Sequence, residues 1–469
     1  MTTTLAGTTD GATSPVTAAP RRALVSWVLF DWAAQPFYTL ILTFLFAPYF
    51  ATVVVGDPVR GQSIWAYAAA AAGIMVGIGS PFLGAIADGR GRRKPWIALF
   101  AVVLIVAMSG LWLAKPGTTG ATLWLVVLCF AVATVAAEFA SVFINAIMPT
   151  LVPPGQIGRL SGIGWGVGYA GGLVALLLMV ALVTADPKTG KTLLGLDPVL
   201  KLDLASREGD RLVGPFAAAW FAVFVLPFFL FVPDRQRPPA SAGPAASPAA
   251  ALFATLRELP SHPDMLRFLI ARAIYVDGLS AIFTFGGVYG AAVFGWQAFE
   301  LGIFGIVLTL TGAIGAIIGG FLDDRLGSRT VILGSLVLLL IGALGILSVT
   351  KTNVLYGLDV APKAAGSGIF TSAGERVFLA FAMLVGVVAA PVQAASRSLL
   401  AHLAPPEKMT QFFGLFAFSG KVTAFMAPLT IAWVTQAFGS QRAGMSVIAA
   451  FLIIGFLIML AVRQHRHAG

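Results

Sequence analysis

The sequence predicts an all-α, polytopic membrane protein of twelve spanning helices, arranged as two pseudo-symmetric six-helix bundles. Three observations carry this. Of 469 residues, 58% are hydrophobic and 11% charged, whereas a soluble domain carries about 25% charged residues. Apolar stretches of about 20 residues, long enough to cross a bilayer, recur from Leu24 to Val462. Two blocks of the first half also return in the second.

The expected spans run over 24–54, 63–87, 96–114, 121–148, 160–183, 213–232, 266–294, 301–322, 330–350, 376–402, 411–437 and 442–462. Between spans six and seven, Gln236 to Ala250 is rich in Pro, Ala and Ser and has no core-forming pattern. It divides the chain into a tail (1–22), a first bundle (23–232), a cytoplasmic linker (233–264), a second bundle (265–463) and a short tail (464–469). Residues 1–20, rich in Thr and Ala, lack a charged-then-apolar leader and read as a disordered tail.

A net charge of +10 raises the question of nucleic acid. The basic residues form no continuous face, so nucleic acid is not an expected partner. They obey the positive-inside rule instead. One side holds Arg21, Arg22, Arg90, Arg92, Arg93, Lys94, Arg159, Arg235, Arg237, Arg257, Arg267, Arg325, Arg329, Lys408, Arg463 and Arg466. The short loops of the other side hold only Arg60, Lys115, Lys351, Lys363, Arg376 and Arg442. Both termini are therefore expected in the cytoplasm. Cys129 is the single cysteine, and His262, His402, His465 and His467 all fall in loops or the tail. Neither a disulfide framework nor a metal or haem site follows from that inventory, and no cofactor is expected.

The repeats are specific. Gly84-Ala-Ile-Ala-Asp88-Gly89-Arg90-Gly91-Arg92-Arg93 closes span two, and Gly320-Phe-Leu-Asp-Asp324-Arg325-Leu326-Gly327-Ser328-Arg329 closes span eight, an offset of 320 − 84 = 236. Asn145 to Pro154 matches Arg397 to Pro406 at an offset of 252, which persists to Gly162 and Gly414. Parallel six-helix repeats about an axis along the membrane normal are a transporter architecture.

The two G-x-x-x-D-x-x-G-x-[RK] loops resemble the cytoplasmic loop signature of the major facilitator superfamily. Gly84, Gly91, Gly320 and Gly327 allow close helix approach and tight turning. Asp88 can meet a helix N-terminus and the arginines across the loop, and Asp324 holds the matching place in the second copy, the motif arginines being Arg92, Arg93, Arg325 and Arg329. Such contacts lock one gating state and break in the other. Gly89 and Ser328 stand where that signature carries basic residues.

Ser26-Trp27-Val-Leu-Phe-Asp31-Trp32-Ala-Ala-Gln35-Pro36-Phe-Tyr38-Thr39 is similar to the opening of the vacuole-effluxer branch, whose fungal members export amino acids from vacuoles. Phe143 to Ala146, Gly162 to Tyr169, Ser396 to Ser398 and Phe413 to Lys421 resemble further blocks of it. The resemblance implies a monomeric secondary transporter moving amino acids or similar small polar metabolites by alternating access, with proton-coupled efflux. The composition points to a bacterial inner membrane.

Charges inside spans are functional candidates, because each costs about 2.5–3.5 kcal/mol to insert at the bilayer centre. They are Asp31, Glu138, Arg272, Asp277, Arg397 and Lys421. All but Lys421 fall in spans one, four, seven and ten, which line the central cavity in the superfamily. Gln35 and Tyr38 share a helix face with Asp31, and Asn145 shares one with Glu138. We expect Asp31 and Glu138 to pair with Arg272 and Arg397 as a cytoplasmic gate, and Asp277 to pair with Lys421 near the midplane. The 252 offset aligns Asn145 with Arg397 and Tyr169 with Lys421. Symmetric positions made chemically unequal point to a ligand with an anionic end, lying towards the second half. Trp32 and Trp165 are candidate cavity walls. Trp27, Trp65, Trp96, Trp112, Trp124 and Trp220 read as interfacial anchors. The glycines of span five read as packing residues.

No nucleotide-binding loop is present, and no membrane histidine offers an intramembrane enzyme a base. The chain is therefore not expected to be an enzyme. The alternatives are an exporter of drug-like amphiphiles and a non-transporting sensor on the same fold. The first is indifferent to charge at Arg397 and Lys421.

Overall fold

The computed structural model describes residues 17–186, 189–234, 248–296, 298–363 and 368–464. Residues 1–16, residues 235–247 of the expected linker and 465–469 lie outside the described residues.

Among the described residues eleven helices are long and apolar enough to cross a membrane: Arg21–Val54, Pro58–Arg90, Lys94–Leu113, Gly120–Thr150, Pro154–Val183, Glu208–Phe231, Pro263–Phe294, Glu300–Leu326, Ser328–Leu347, Ala373–Leu403 and Gln441–Leu460. These are spans one to ten and span twelve. Span eleven, expected as one helix over 411–437, is broken. It consists of Met409–Ser419 and Met426–Phe438, with Gly420 to Phe425 outside either helix. The end of the expected linker also differs, since Pro248–Glu258 is helical.

Local chemistry sets the boundaries. Asp57 caps span two, its carboxylate accepting the Val59 and Arg60 N–H groups at 2.9 and 3.2 Å, with Pro58 following at the first helical position. Gly91 and Gly327, 236 residues apart, end spans two and eight with φ of 72° and 87°. That positive φ is the reason for glycine in each loop copy. In span one, Pro36 has no N–H to give and displaces the Trp32 carbonyl. Trp220 of span six supplies the missing donor, its Nε1 reaching that oxygen at 3.2 Å.

The two halves meet along spans five and eight and along spans two and eleven. Glycine makes both seams possible. A Cβ on Gly162 would lie 2.6 Å from Gly320 Cα, and one on Gly84 would lie 2.6 Å from the Thr410 carbonyl oxygen. Gly414 approaches Ser80 and Pro81 in the same way that Gly162 approaches Ala316 and Gly320. These contacts repeat under the offsets (80 + 236 = 316 and 162 + 252 = 414), so the seams are copies related by a pseudo-twofold axis. Gly164, Gly168, Gly171 and Gly172 instead face Asp31, Trp32, Gln35 and Thr39 of span one. Span five is thus wedged between spans one and eight.

Both seams lie at the end of the molecule that carries the two loop motifs, called the motif end below. Apolar side chains exposed on the outer faces, such as Ile74, Ile78, Val102, Val106 and Leu338, mark the lipid-facing surface. Trp124 is exposed, as an interfacial anchor is. Trp27 departs from that expectation: it is buried and its Nε1 donates to the Ile144 carbonyl at 3.0 Å.

Candidate functional site: a charged cavity between the halves

Each half places one Asp against the helix start of the other. Asp88 accepts the Thr410 and Gln411 backbone N–H groups at 3.2 and 2.9 Å, in the first turn of span eleven. Asp324 accepts the Arg159 N–H at 3.0 Å, near the start of span five. A carboxylate is favoured there because the unpaired N–H groups of a helix start carry partial positive charge. The arginines are less symmetric. Arg93 meets Asp88 at 3.3 Å, the Thr410 hydroxyl at 2.8 Å and the Ala146 carbonyl at 3.2 Å. Arg329, its counterpart, donates from Nη2 to the Leu460 carbonyl at 2.8 Å and so binds its own half. Arg325 is exposed.

Above this closure lies a cavity of about 370 Å³, in the range of small-ligand pockets. Its wall includes Asp31, Gln35, Tyr38, Glu138, Asn145, Tyr169, Arg272, Arg397 and Lys421, nine residues singled out from sequence. A larger cleft of about 680 Å³ opens beside Arg267, Arg329 and Arg463 at the motif end, away from these residues.

Arg397 is the most heavily bonded of the cavity residues. It donates from Nη1 to Asp31 at 3.3 Å and to the Asn145 side chain at 3.0 Å. Its Nε and Nη2 donate to the Ser161 hydroxyl and carbonyl at 2.9 and 2.7 Å. All of these acceptors belong to the first half, on spans one, four and five, and Trp27 of span one lies under the guanidinium at 5.1 Å. Lys421 sits at the break of span eleven, where the unwound chain lets its ammonium reach Glu138 at 3.1 Å. Both ion pairs cross from one half to the other. A cross-half pair in a low-dielectric site has a strong distance dependence, so separating the halves breaks it.

Three expectations need correction. Glu138 pairs with Lys421, not with Arg272. Asp277 is buried beside Thr423 rather than paired with Lys421. Among the described residues one of its carboxylate oxygens has no hydrogen-bond partner, and the Thr423 hydroxyl donates to the Ala273 carbonyl at 3.0 Å. Trp32 does not line the cavity: it stacks on Trp220 at 5.6 Å in the wall between spans one and six. Trp165 does line it. Among the described residues no group of His, Cys, Asp and Glu is placed to hold a metal ion.

Sequence reasoning missed Ser161, Gln393 and Phe416. Ser161 immediately precedes the glycine run of span five, and that proximity to a close helix seam was its only signal. Asp323, neighbour of the motif's Asp324, was also missed. It accepts from Ser328 at 2.6 Å and from Ser398, tying the second loop to span ten.

A sequence profile described as vacuole effluxer Atg22-like matches residues 50–468. The chain belongs to that family. It is 25% identical over 444 residues to YxiO, an MFS-type transporter of Bacillus subtilis, covering 94% of both chains. It is 22% identical over 325 residues to autophagy-related protein 22-1 of Neosartorya fischeri, covering 66% of this chain and 48% of that one. The chain thus spans about half the length of that fungal relative. The fold matches the crystal structure of FucP, a major facilitator superfamily transporter in the outward conformation. The TM-score is 0.68 at 14% identity, over 95% of this chain and 99% of that one. This vacuole-effluxer family member is therefore a multi-pass membrane transporter of the major facilitator type.

Proposed function

We propose that the protein is a secondary active transporter of amino acids or similar small polar metabolites. It works by alternating access, and its two halves rock about the cavity. The observation that carries this reading is the pair of cross-half ion contacts, Asp31–Arg397 and Glu138–Lys421, on the wall of one cavity. Polar groups of both signs match a small polar solute, and contacts that span the halves couple the solute to the closure.

In this reading the motif end is cytoplasmic, in a bacterial inner membrane, and the protein acts as a monomer. The state described is then closed to the cytoplasm. Efflux is coupled to protons. No bond is made or broken in the solute, so the protein is not an enzyme.

Tyr38, Trp165, Tyr169, Phe413 and Phe416 give the same cavity an aromatic share, which also suits an exporter of amphiphiles. Charge decides between the two. Purified protein in liposomes, loaded with unlabelled solute and offered labelled amino acids, sugars, nucleosides and a cationic dye, with and without an imposed pH gradient, should exchange amino acids. Dye exchange that is insensitive to Arg397→Gln and Lys421→Gln would establish the second reading and remove the first.

A further inference from the structure

Five ionisable residues with formal charge at neutral pH line the cavity: Asp31, Glu138, Arg272, Arg397 and Lys421. Two acids against three bases leave one positive charge in excess. Asp31 is matched with Arg397 at 3.3 Å and Glu138 with Lys421 at 3.1 Å. The unmatched charge is Arg272. Among the described residues no carboxylate lies within 4.0 Å of its guanidinium, although its residue exposure is only 9%. A buried charge ordinarily has a partner.

The guanidinium is held in a fixed orientation. Its carbon lies 3.4 Å from the centroid of the Phe416 ring, stacked by cation–π attraction. Nη1 donates to the Phe416 carbonyl at 2.6 Å and to the Ser419 hydroxyl at 2.9 Å. Gly420 makes room, since a Cβ there would stand 3.0 Å from Nη1. Neither Nε nor Nη2 has a hydrogen-bond partner among the described residues, and Nε is buried. Nη2, beside the covered Nε, is the donor that a carboxylate in the cavity can meet.

We propose that Arg272 anchors a carboxylate of the transported solute, and that the solute carries a net charge of −1. This rests on the transporter reading above and narrows it. A neutral zwitterion leaves the excess positive charge of the cavity unbalanced. A monoanion fills the empty half of the Arg272 pair and leaves the cross-half pairs intact. The solute class is a small organic acid, or an acidic amino acid whose second carboxylate balances its ammonium group.

The test uses the full chain in liposomes, with counterflow of labelled L-glutamate, L-lactate, L-leucine, L-lysine and D-glucose at neutral pH. The expected result is exchange of glutamate or lactate in preference to leucine and lysine. Arg272→Gln should lower anion exchange at least about tenfold and collapse the glutamate-to-leucine ratio, a change that a merely structural role does not produce. Arg272→Lys keeps the charge without the fork, and should retain the anion preference with a raised KM. It serves as the folded comparison if Arg272→Gln does not yield monodisperse protein. Leucine exchanged as well as the anions, or anion exchange untouched in Arg272→Gln, overturns the anchor and leaves the transporter of amino acids standing. Exchange of glucose alone, or of none of the five, overturns both.

Discussion

Asn145 and Arg397 occupy the same position in the two halves, 252 residues apart, and their side chains are hydrogen-bonded to each other at 3.0 Å. Two positions related by a twofold operation touch only where they lie close to the axis. The contact therefore marks the pseudo-twofold axis, and it does so on the cavity wall. The chemistry at the axis is unequal, an amide facing a guanidinium, so the symmetric scaffold encloses an asymmetric site.

The Asp31–Arg397 pair is the first consequence to test. Removing one partner of a buried pair costs about 3–5 kcal/mol, because a charge is left uncompensated. Asp31→Asn and Arg397→Gln should each abolish exchange. The double exchange Asp31→Arg with Arg397→Asp should restore only part of it. The shorter carboxylate placed on span ten cannot remake the bonds that the Arg397 guanidinium gives to Asn145 and Ser161. Complete absence of recovery, with both single variants inactive, would show that the pair does not act as a pair.

The twin closures make a symmetric prediction. Asp88 and Asp324 each accept backbone N–H groups of the opposite half, and hydrogen bonds to charged groups contribute about 1.5–3 kcal/mol. Asp88→Asn and Asp324→Asn should each shift the population away from the state closed at the motif end by about 10- to 100-fold, at about 1.4 kcal/mol per tenfold. Spin labels on residues Ser161 and Phe413 would disturb the seam, so labels belong on exposed sites at the motif end, with their distance distributions compared. A shift in one variant and none in the other contradicts equivalent closures.

Glycine at the seams gives a steric test with an internal control. A Cβ on Gly84 would fall 2.6 Å from the Thr410 carbonyl oxygen and 2.7 Å from Gln411 Cα, both backbone atoms that cannot turn aside. Gly84→Ala should open the motif end or lower the melting temperature. Gly73→Ala on the same helix meets nothing within 4 Å and should be neutral. Equal behaviour of the two variants, read by thermal unfolding in one detergent, would remove the steric explanation.

The linker helix Pro248–Glu258 supplies a pH-dependent contact outside the membrane. Lys408, donating to Glu258 at 2.8 Å, holds that carboxyl below its ordinary value of 4.5. A folded value below the unfolded one stabilises docking above about pH 4.5, and that contribution is lost as pH falls through the lowered value. The pair is exposed, so the effect is small and salt weakens it. The buried Thr255–Gln411 bond at 3.1 Å does not titrate and persists at low pH. Hydrogen exchange of this helix, corrected for intrinsic rates, should quicken below that range at low salt. Glu258→Gln should show no such step, and a step that persists in it assigns the pH dependence elsewhere.

The position of most spans was legible because a lipid-facing helix must be apolar along about 20 residues, whatever it packs against. The break in span eleven was not. Val422, Ala424 and Phe425 continue the apolar run through it, and hydropathy does not distinguish a helix from an unwound stretch of the same composition. The mispairing of Asp277 has a similar cause. Depth along a helix follows from residue number, but Asp277 lies five residues beyond Arg272, about 140° around the helix at about 3.6 residues per turn. Trp32 was misplaced by the neighbouring direction, since Asp31 beside it faces the cavity and it does not.

By itself the sequence determined the positions of the eleven unbroken spans seen among the described residues, the two offsets and, through them, the equivalence of Asp88 with Asp324 and of Asn145 with Arg397. Those are local or repeated properties: apolar length, turn-forming glycine and duplicated spacing. Only the tertiary structure decided that Arg397 takes Asp31, that Lys421 takes Glu138 and that Arg272 has no acid within 4.0 Å among the described residues. A charge pair is a matter of a few ångströms between helices distant in the chain, and those distances are set by how the glycine seams and the broken span bring the two halves together.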